Sequence, residues 1–334
     1  MSKVALMSDI HYHLWTAFSP DGGRSRLADI SNVMHQLLDY CLANDIKHVA
    51  LLGDIFEKRG VIDSYVYNTF AQDIKQFLEH GIKLYILAGN HDQDLISNAT
   101  WDNSLAPLSG LFGGLKIVSE PEELYIENRQ ILFLPYIHDH KVVEKLINKS
   151  NAEFAFIHAG IIGAKLTDSD YRIKSGLDVG AIRDTCRIYS GHYHTPQTVG
   201  IATYLGSPIH HTFNDYGQEK SFIVLDLDDS TYIRVPTKYP RFMRETVTDL
   251  SAIYKIASDD FYKIRVVEKT LTTAHHDHLR ANTKAYEIDY TFKSESQNYF
   301  ARFDTEQEVL RKFIQREFDS GHRELFREAK KYLC

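Results

Sequence analysis

The sequence predicts an α/β fold with a smaller C-terminal α+β piece. Short β-rich runs alternate with helical segments, later runs follow one another without helices between them, and periodicity lapses once near a proline before resuming. At 334 residues the chain is long for one core and suited to one large domain and one small one.

The run KVALMS at 3–8 reads as the first strand. From Leu27 to Asn44 the residues Leu27, Ile30, Val33, Met34, Leu37, Leu38 and Cys41 recur by threes and fours, the buried face of a helix. HVALLG, a helix from Asp63 to His80, and KLYILAG repeat the pattern, which predicts a largely parallel sheet covered by helices. ENRQ between LYI and ILFLP reads as a hairpin turn, and AEFAFIH and RIYSGH as further strands. ATYLGSP and KSFIVLDLDDSTYIRVP are consecutive strands with a tight turn in DLDDST, so the late part of the sheet is expected to be antiparallel. The lapse at TKYPRFMRE places a boundary between Pro236 and Glu245, dividing the chain into 1–235 and 236–334. Beyond it come strands FYKIRVVE and AYEIDYTFK, then helical TEQEVLRKFIQREFD and HRELFREAKKYL.

Hydrophobic content of 43% with 25% charged residues is that of a globular protein, without repeats or low-complexity segments. MSKVALMSD reads as a strand rather than a signal peptide, and stretches such as AEFAFIHAGIIGA fall short of the roughly 20 apolar residues of a membrane span. The expectation is a soluble, cytoplasmic chain without a membrane partner. Cys41, Cys186 and Cys334 are too few and too scattered for a disulfide framework or a thiolate zinc site. A net charge of −7 argues against gripping nucleic acid by overall electrostatics; affinity for it would have to come from metals, local patches and a partner.

Metal-competent side chains collect at the strand ends. Asp9 and His11 follow VALMS, Asp54 follows HVALLG, and Asn90, His91 and Asp92 follow LYILAG; His158 ends AEFAFI, and His192 and His194 follow CRIYSG. In open α/β sheets the carboxyl ends of strands converge on one crevice, so distance in sequence does not forbid their meeting. In D-x-H and H-x-H, residues i and i+2 share a side if the backbone stays extended. Glycines before Asp54, Asn90 and His192 suit tight exits and close backbone approach. The mixed nitrogen and oxygen set fits Mn²⁺, Fe²⁺ or Zn²⁺ better than Ca²⁺ or Mg²⁺ alone, and about eight ligand atoms imply two ions. Asp54 is the candidate bridge between them, and phosphoester hydrolysis is the reaction such a pair serves.

The ordered motifs DIH, GDIFE, GNHD, IHAG and GHYH resemble the calcineurin-like metallophosphoesterase superfamily. Within it, GDIFEKRG and YLGSPIHHTFNDYGQEKSFIVLDL resemble SbcD-type DNA nuclease subunits, bacterial and phage relatives of the meiotic-recombination nuclease, over about residues 3 to 235. The resemblance implies a metallophosphoesterase β-sandwich flanked by helices with a capping-type C-terminal domain. It implies one ion held by Asp9, His11, Asp54 and His194, a second held by Asp54, Asn90, His158 and His192, and manganese as the usual ion. It assigns His91 to transition-state stabilisation or leaving-group protonation, a role to which histidine chemistry is suited, with Asp92 placed to orient it. It also implies DNA as substrate, a homodimer, and an SbcC-type ABC ATPase partner met through the C-terminal helices, where Val309, Leu310, Phe313, Ile314 and Phe318 share a face. The compact chain looks more like a phage subunit than a bacterial one. Where archaeal and eukaryotic recombination nucleases carry a histidine this chain has Glu57, so exonuclease direction does not transfer from them.

For substrate contact the candidates are Arg24 and Arg26 in the loop after DIH and Lys58 and Arg59 after GDIFE, against a reading as ordinary surface charge. His210 and His211 follow GSPI and read either as phosphodiester contacts or as packing. His13, His35, His48, His80, His138 and His140 read as solvated or locally bonded, and AHHDH, with His275, His276 and His278, as an exposed loop rather than a third metal site. Two competing functions stand beside the nuclease: a phosphoesterase for phosphoproteins or small esters, and a non-catalytic scaffold.

Overall fold

Residues 2–16, 21–93, 103–166 and 171–292 are described by the computed structural model of the chain. Strands β1 (Lys3–Met7), β2 (His48–Leu52) and β3 (Lys83–Leu87) are linked through helices α1 (Arg24–Ala43) and α2 (Ser64–Glu79) and run parallel in that order, with β4 (Leu115–Val118) parallel to β3 at the edge. Asp63 starts α2 by accepting from the Tyr65 amide at 2.8 Å, so the helix begins where its cap dictates. β5 (Glu122–Ile126) and β6 (Arg129–Leu134) form the expected antiparallel hairpin, turned by Glu127 at φ 53°. α3 (His140–Lys149) then leads to β7 (Phe154–His158), β8 (Arg187–Gly191), β9 (Gln197–Val199) and β10 (Ala202–Tyr204). β11 (Ser221–Asp226) and β12 (Tyr232–Pro236) return antiparallel onto β1, as the late strand run predicts.

The strands divide into two six-stranded sheets, ordered β12-β11-β1-β2-β3-β4 and β5-β6-β7-β8-β10-β9. The alternation alone points to one sheet. Its strands are apolar on both faces, and such a run does not reveal whether a helix or a second sheet covers each face. Here each strand divides its residues between two cores. Ala5, Met7, Val49, Leu51, Leu84 and Ile86 face α1 and α2. Val4, Leu6, Ala50, Leu52 and Leu87 face Phe133, Phe154 and Phe156 of the other sheet. A third core, with Ala155, Ile157, Val143 and Ile147, packs α3 against the outer face of the second sheet. The result is a helix-flanked β-sandwich whose two sheets bring the carboxyl ends of β1, β2 and β3 beside those of β7 and β8.

β13 (Phe242–Val247), β14 (Ser258–Val267) and β15 (Thr283–Thr291) form a separate three-stranded parallel sheet. Helix α4 (Thr273–Asn282) covers it through Leu279, with Ile264 and Val266 beneath. AHHDH is thus helical, not a loop: Thr272 and His275 make a reciprocal cap, and His275 is buried under Tyr254. The predicted C-terminal helices and their apolar face lie outside the described residues. No described helix is long and apolar enough to cross a membrane.

Candidate metal centre

The ends of β1, β2, β3, β7 and β8 and the turns that leave them carry the seven candidate ligands, His158 as the last residue of β7, and at four of them the backbone is not extended. Asp9, His11 and Asp54 sit at φ 54°, 53° and 52°, and His192 at 99°. Left-handed conformations are costly for residues with a Cβ and persist where the surroundings enforce them. Enforcement is visible: the Asp9 amide donates to Gly53 O at 3.0 Å, His11 N to Asp54 O at 3.1 Å and Tyr12 N to Ile55 O at 2.7 Å, stapling one exit to the next. D-x-H and H-x-H therefore converge by coiling at the strand ends, which corrects the extended-backbone expectation. The glycines do serve close approach. A Cβ on Gly53, itself at φ 88°, would lie 2.4 Å from His158 Nδ1, and one on Gly89 would lie 2.2 Å from Asp54 Oδ1.

Three groups of metal-competent side chains form among the described residues: His11, Glu57 and His91 make one, and the predicted ligands make the other two. Ligand atoms of Asp9, His11 and His194 lie within 4.8 Å of one another, as do those of Asp54, His158 and His192. Asn90 Oδ1 joins the second, 3.0 Å from His158 Nε2 and 2.8 Å from His192 Nδ1. Asp54 reaches both, with Oδ1 3.4 Å from His158 Nε2 and Oδ2 3.7 Å from His11 Nε2. His158 Nδ1–H donates to Leu52 O at 2.7 Å, so on the neutral ring Nε2 carries a lone pair toward Asn90 and Asp54. His11 Nε2 and His194 Nε2 face each other at 3.1 Å. Acceptor atoms packed this closely require a proton or a cation among them, and imidazole, carboxylate and amide oxygen without thiolate suit a divalent ion of the Mn²⁺, Fe²⁺ or Zn²⁺ type.

Burial lowers His192 and His194 to about 4, helped by His158 for the first and His11 for the second, so both offer lone pairs at neutral pH. Burial opposes ionisation of Asp54, but His158, His11 and His91 hold it well below the carboxylate range. Burial likewise opposes charge on His158, yet Asp54 raises it to about 9. These are opposite sides of one tightly paired, buried contact.

The other predicted residues divide. His91 lies at the centre: its amide donates to Asp54 Oδ1 at 2.8 Å, and its ring meets His11 edge-on at 4.9 Å. Asp92 does not orient His91. It accepts from the amides of Gly89, Ile55 and Phe56 at 2.9 to 3.0 Å and so ties the β2 and β3 exits together, while burial, then Asp54, pushes its carboxyl up to about 7. Arg26 is no surface contact: only 1% exposed, it donates to His210 O and lies over Phe242 and Phe261 at 5.3 and 5.8 Å. His210 is buried too, donating to Gln218 O at 2.9 Å and accepting from the Phe242 amide at 3.1 Å. Both are packing residues because β13 and β14 fold over them. Arg24 is exposed and stacks over Tyr65 at 5.0 Å, and Lys58 and Arg59 are exposed in the loop after β2. His211 is part of the centre's wall, 5.0 Å from both His11 and His194 ring to ring, with Nε2–H donating to Asp9 O at 2.8 Å.

Residues not singled out for the site also meet it. Glu57 Oε2 lies 2.7 Å from His11 Nδ1; three positions after Asp54 in GDIFE, it stands out in sequence only as a departure from relatives. Lys220, buried, donates to His194 O at 2.7 Å and to Asp215 Oδ1 and Gln218 Oε1 at 2.8 Å, and no local motif announces it. Tyr136 follows β6 and stacks on His192 at 5.8 Å. The strand-end rule covers it, but a phenol is not among the metal-competent side chains that rule collects. Beside His192 and His194 opens a cleft of about 210 Å³, lined also by Leu166, Tyr193, Thr212 and Asn214.

The profile of the calcineurin-like phosphoesterase family matches residues 2–196. The chain is similar to exonuclease subunit 1 of Enterobacteria phage T4, 27% identical over 197 residues that cover 58% of this chain and 57% of that protein. It is also similar to the SbcD subunit of nuclease SbcCD from Bacillus subtilis (strain 168), 23% identical over 261 residues, 66% of either chain. The matched segment therefore spans 57% and 66% of these relatives' lengths. A solved archaeal phosphodiesterase superposes with a TM-score of 0.37 at 13% identity, covering 70% of this chain and 99% of that one.

Proposed function

Because the chain belongs to the calcineurin-like phosphoesterase family, we propose that it is a manganese-dependent nuclease subunit that hydrolyses DNA phosphodiester bonds during recombination, repair or end processing. The observation that carries this is the meeting of seven ligand candidates from five strand exits in two clusters that share Asp54. In this reading Asp9, His11, Asp54 and His194 hold one divalent ion, and Asp54, Asn90, His158 and His192 the other. Bound there, the pair supplies Lewis-acid polarisation of a phosphoryl group and an acidified water.

The chain's own residues supply the rest. His91 Nδ1–H is tied to Glu57 O at 2.7 Å, which leaves Nε2 facing the substrate; on the protonated ring its N–H passes the proton to the leaving oxygen and the ring returns to neutral. Leu52 O and Asn90 keep the His158 and His192 rings in register. Tyr136 and Tyr193 flank His192 and wall that side of the centre. In this reading Lys58 and Arg59, exposed in the loop after β2, contact the phosphates of the substrate. The similarity to two nuclease subunits favours DNA as substrate and a multi-subunit assembly, which in this reading is a homodimer working with an SbcC-type ATPase. The division into a nuclease domain at 1–235 and an accessory domain at 236–334 belongs to this reading.

The test is hydrolysis of end-labelled duplex and single-stranded DNA with Mn²⁺, set beside a phosphomonoester, for the wild type and His91→Ala. The expected result is diester cleavage that chelation abolishes, that Mn²⁺ restores and that the variant loses. Efficient monoester turnover with no DNA cleavage, even with an ATPase partner added, would sink the nuclease reading.

A further inference from the structure

We propose that Glu57 is a positioning residue that sets two histidines of the centre at once, His11 through its carboxylate and His91 through its carbonyl. The inference rests on the metal-centre reading and adds to it a residue outside the ligand set.

An imidazole presents one nitrogen to a cation when its other nitrogen is engaged elsewhere, so the partner of the far nitrogen decides which lone pair is offered. Glu57 Oε2 stands 2.7 Å from His11 Nδ1, a close charge contact that does not lie along the ring's N–H direction. The nitrogen left to His11 is Nε2, the one that faces His194 Nε2 at 3.1 Å and Asp54 Oδ2 at 3.7 Å. The same residue's carbonyl accepts from His91 Nδ1–H at 2.7 Å. One residue on the β2 exit thus fixes a ring carried by the β1 exit and a ring carried by the β3 exit. Its backbone is itself held: the Glu57 amide donates to Tyr12 O at 3.3 Å, and Phe56 and Tyr12 form a parallel bridge.

The two contacts separate cleanly under mutation. The carboxylate is half exposed, so its removal opens no core cavity, and substitution of the side chain leaves the carbonyl in place. Glu57→Ala should therefore release His11 and spare His91. Glu57→Gln keeps an oxygen beside His11 Nδ1 but loses the charge, and should fall between the two.

The test begins with chelated protein titrated calorimetrically with Mn²⁺, for the wild type, Glu57→Ala, Glu57→Gln and His91→Ala. Losing the partner of a ligand imidazole costs on the order of 10- to 100-fold in metal affinity. The expected result is that Glu57→Ala weakens one of two ions by about that factor and leaves the other unchanged, with Glu57→Gln losing less. Hydrolysis by Glu57→Ala should climb as Mn²⁺ is raised, while His91→Ala stays inactive at every concentration. Two ions binding to Glu57→Ala as they bind to the wild type would overturn the role of Glu57 alone, as would activity that no excess of Mn²⁺ restores. A wild type that takes up no Mn²⁺ would overturn the centre itself, and the role of Glu57 with it.

Discussion

At the strand exits the carboxylates are buried, Asp9 at 0% and Asp54 at 2% exposure, and both are held by neighbours from other loops. On the outer face of β14 and β15 the paired charges stand in water instead, Lys263 against Glu287 at 3.3 Å and Arg265 against Asp289 at 3.6 Å, while Lys284 of β15 reaches the buried Asp29 of α1 at 2.7 Å. The three-stranded sheet keeps its apolar residues beneath and sets opposite charges across from each other on the outer face, an arrangement that adds little to stability. The exits do the reverse. They bury charge and adopt left-handed backbone at four candidate ligands, both unfavourable alone, and the hydrogen bonds among loops offset the cost. Substitutions in the two regions should differ accordingly, in size and in what they damage.

Asp54→Asn should show the largest effect, because Asp54 reaches both clusters and answers the charge of His158. Hydrolysis should fall on the order of 10³-fold, equivalent to about 4 kcal/mol of barrier. A variant that retains tenth-level activity at saturating metal would show that the two clusters work independently.

Next comes Lys220→Met, which leaves Asp215 buried without its partner and frees the His194 carbonyl. A stability loss of about 3–5 kcal/mol is expected from chemical denaturation. The wild-type pair also has an acid signature. Burial opposes the Asp215 charge, but Lys220 holds the carboxyl below its ordinary value of 3.8, so the pair's contribution is complete above that pH and fades as pH drops through the folded value. A neutral-pH loss under 1 kcal/mol would put the exits and the outer sheet on the same footing.

The smallest effect belongs to Arg265→Ala, an exposed pair, at less than about 1 kcal/mol by the same denaturation. Arg244, Lys263 and Arg265 line a cleft of about 600 Å³ with Glu245 and Asp289 among them, so the charges there largely cancel. A larger loss would mean that the outer sheet is tied to the body more tightly than its surface pairs suggest.

How much is legible in the sequence follows the same divide. The strands, α1, α2 and the exits can be read because each carries its signal locally: apolar spacing, a capping Asp63, a glycine before a ligand. Arg26 and His210 cannot, since they are buried by Phe242 and Phe261, which belong to a different sheet and come from far along the chain. A charged residue soon after a motif strand looks solvent-facing until a later element lands on it, and Arg24 and Arg26 stand in the first turn of α1 rather than in the expected loop. Asp92 pairs in sequence with its neighbour His91, whereas its partners in the fold are the amides of Ile55 and Phe56 in another loop. Helix α4 is hidden because its histidines obscure an apolar face that amounts to Leu279 and little else.

The centre lies on the seam between the two sheets, and His158 Nδ1–H to Leu52 O crosses that seam. This has a meaning for a chain being synthesised. Asp9 and His11 leave the ribosome early, but His194, which faces His11, follows 183 positions later. Until β8 has joined its sheet, the first cluster lacks a member and the second lacks His192. A chain ended before β8 therefore lacks His192 and His194, and in the proposed reading the centre is complete only once the second sheet has docked on the first.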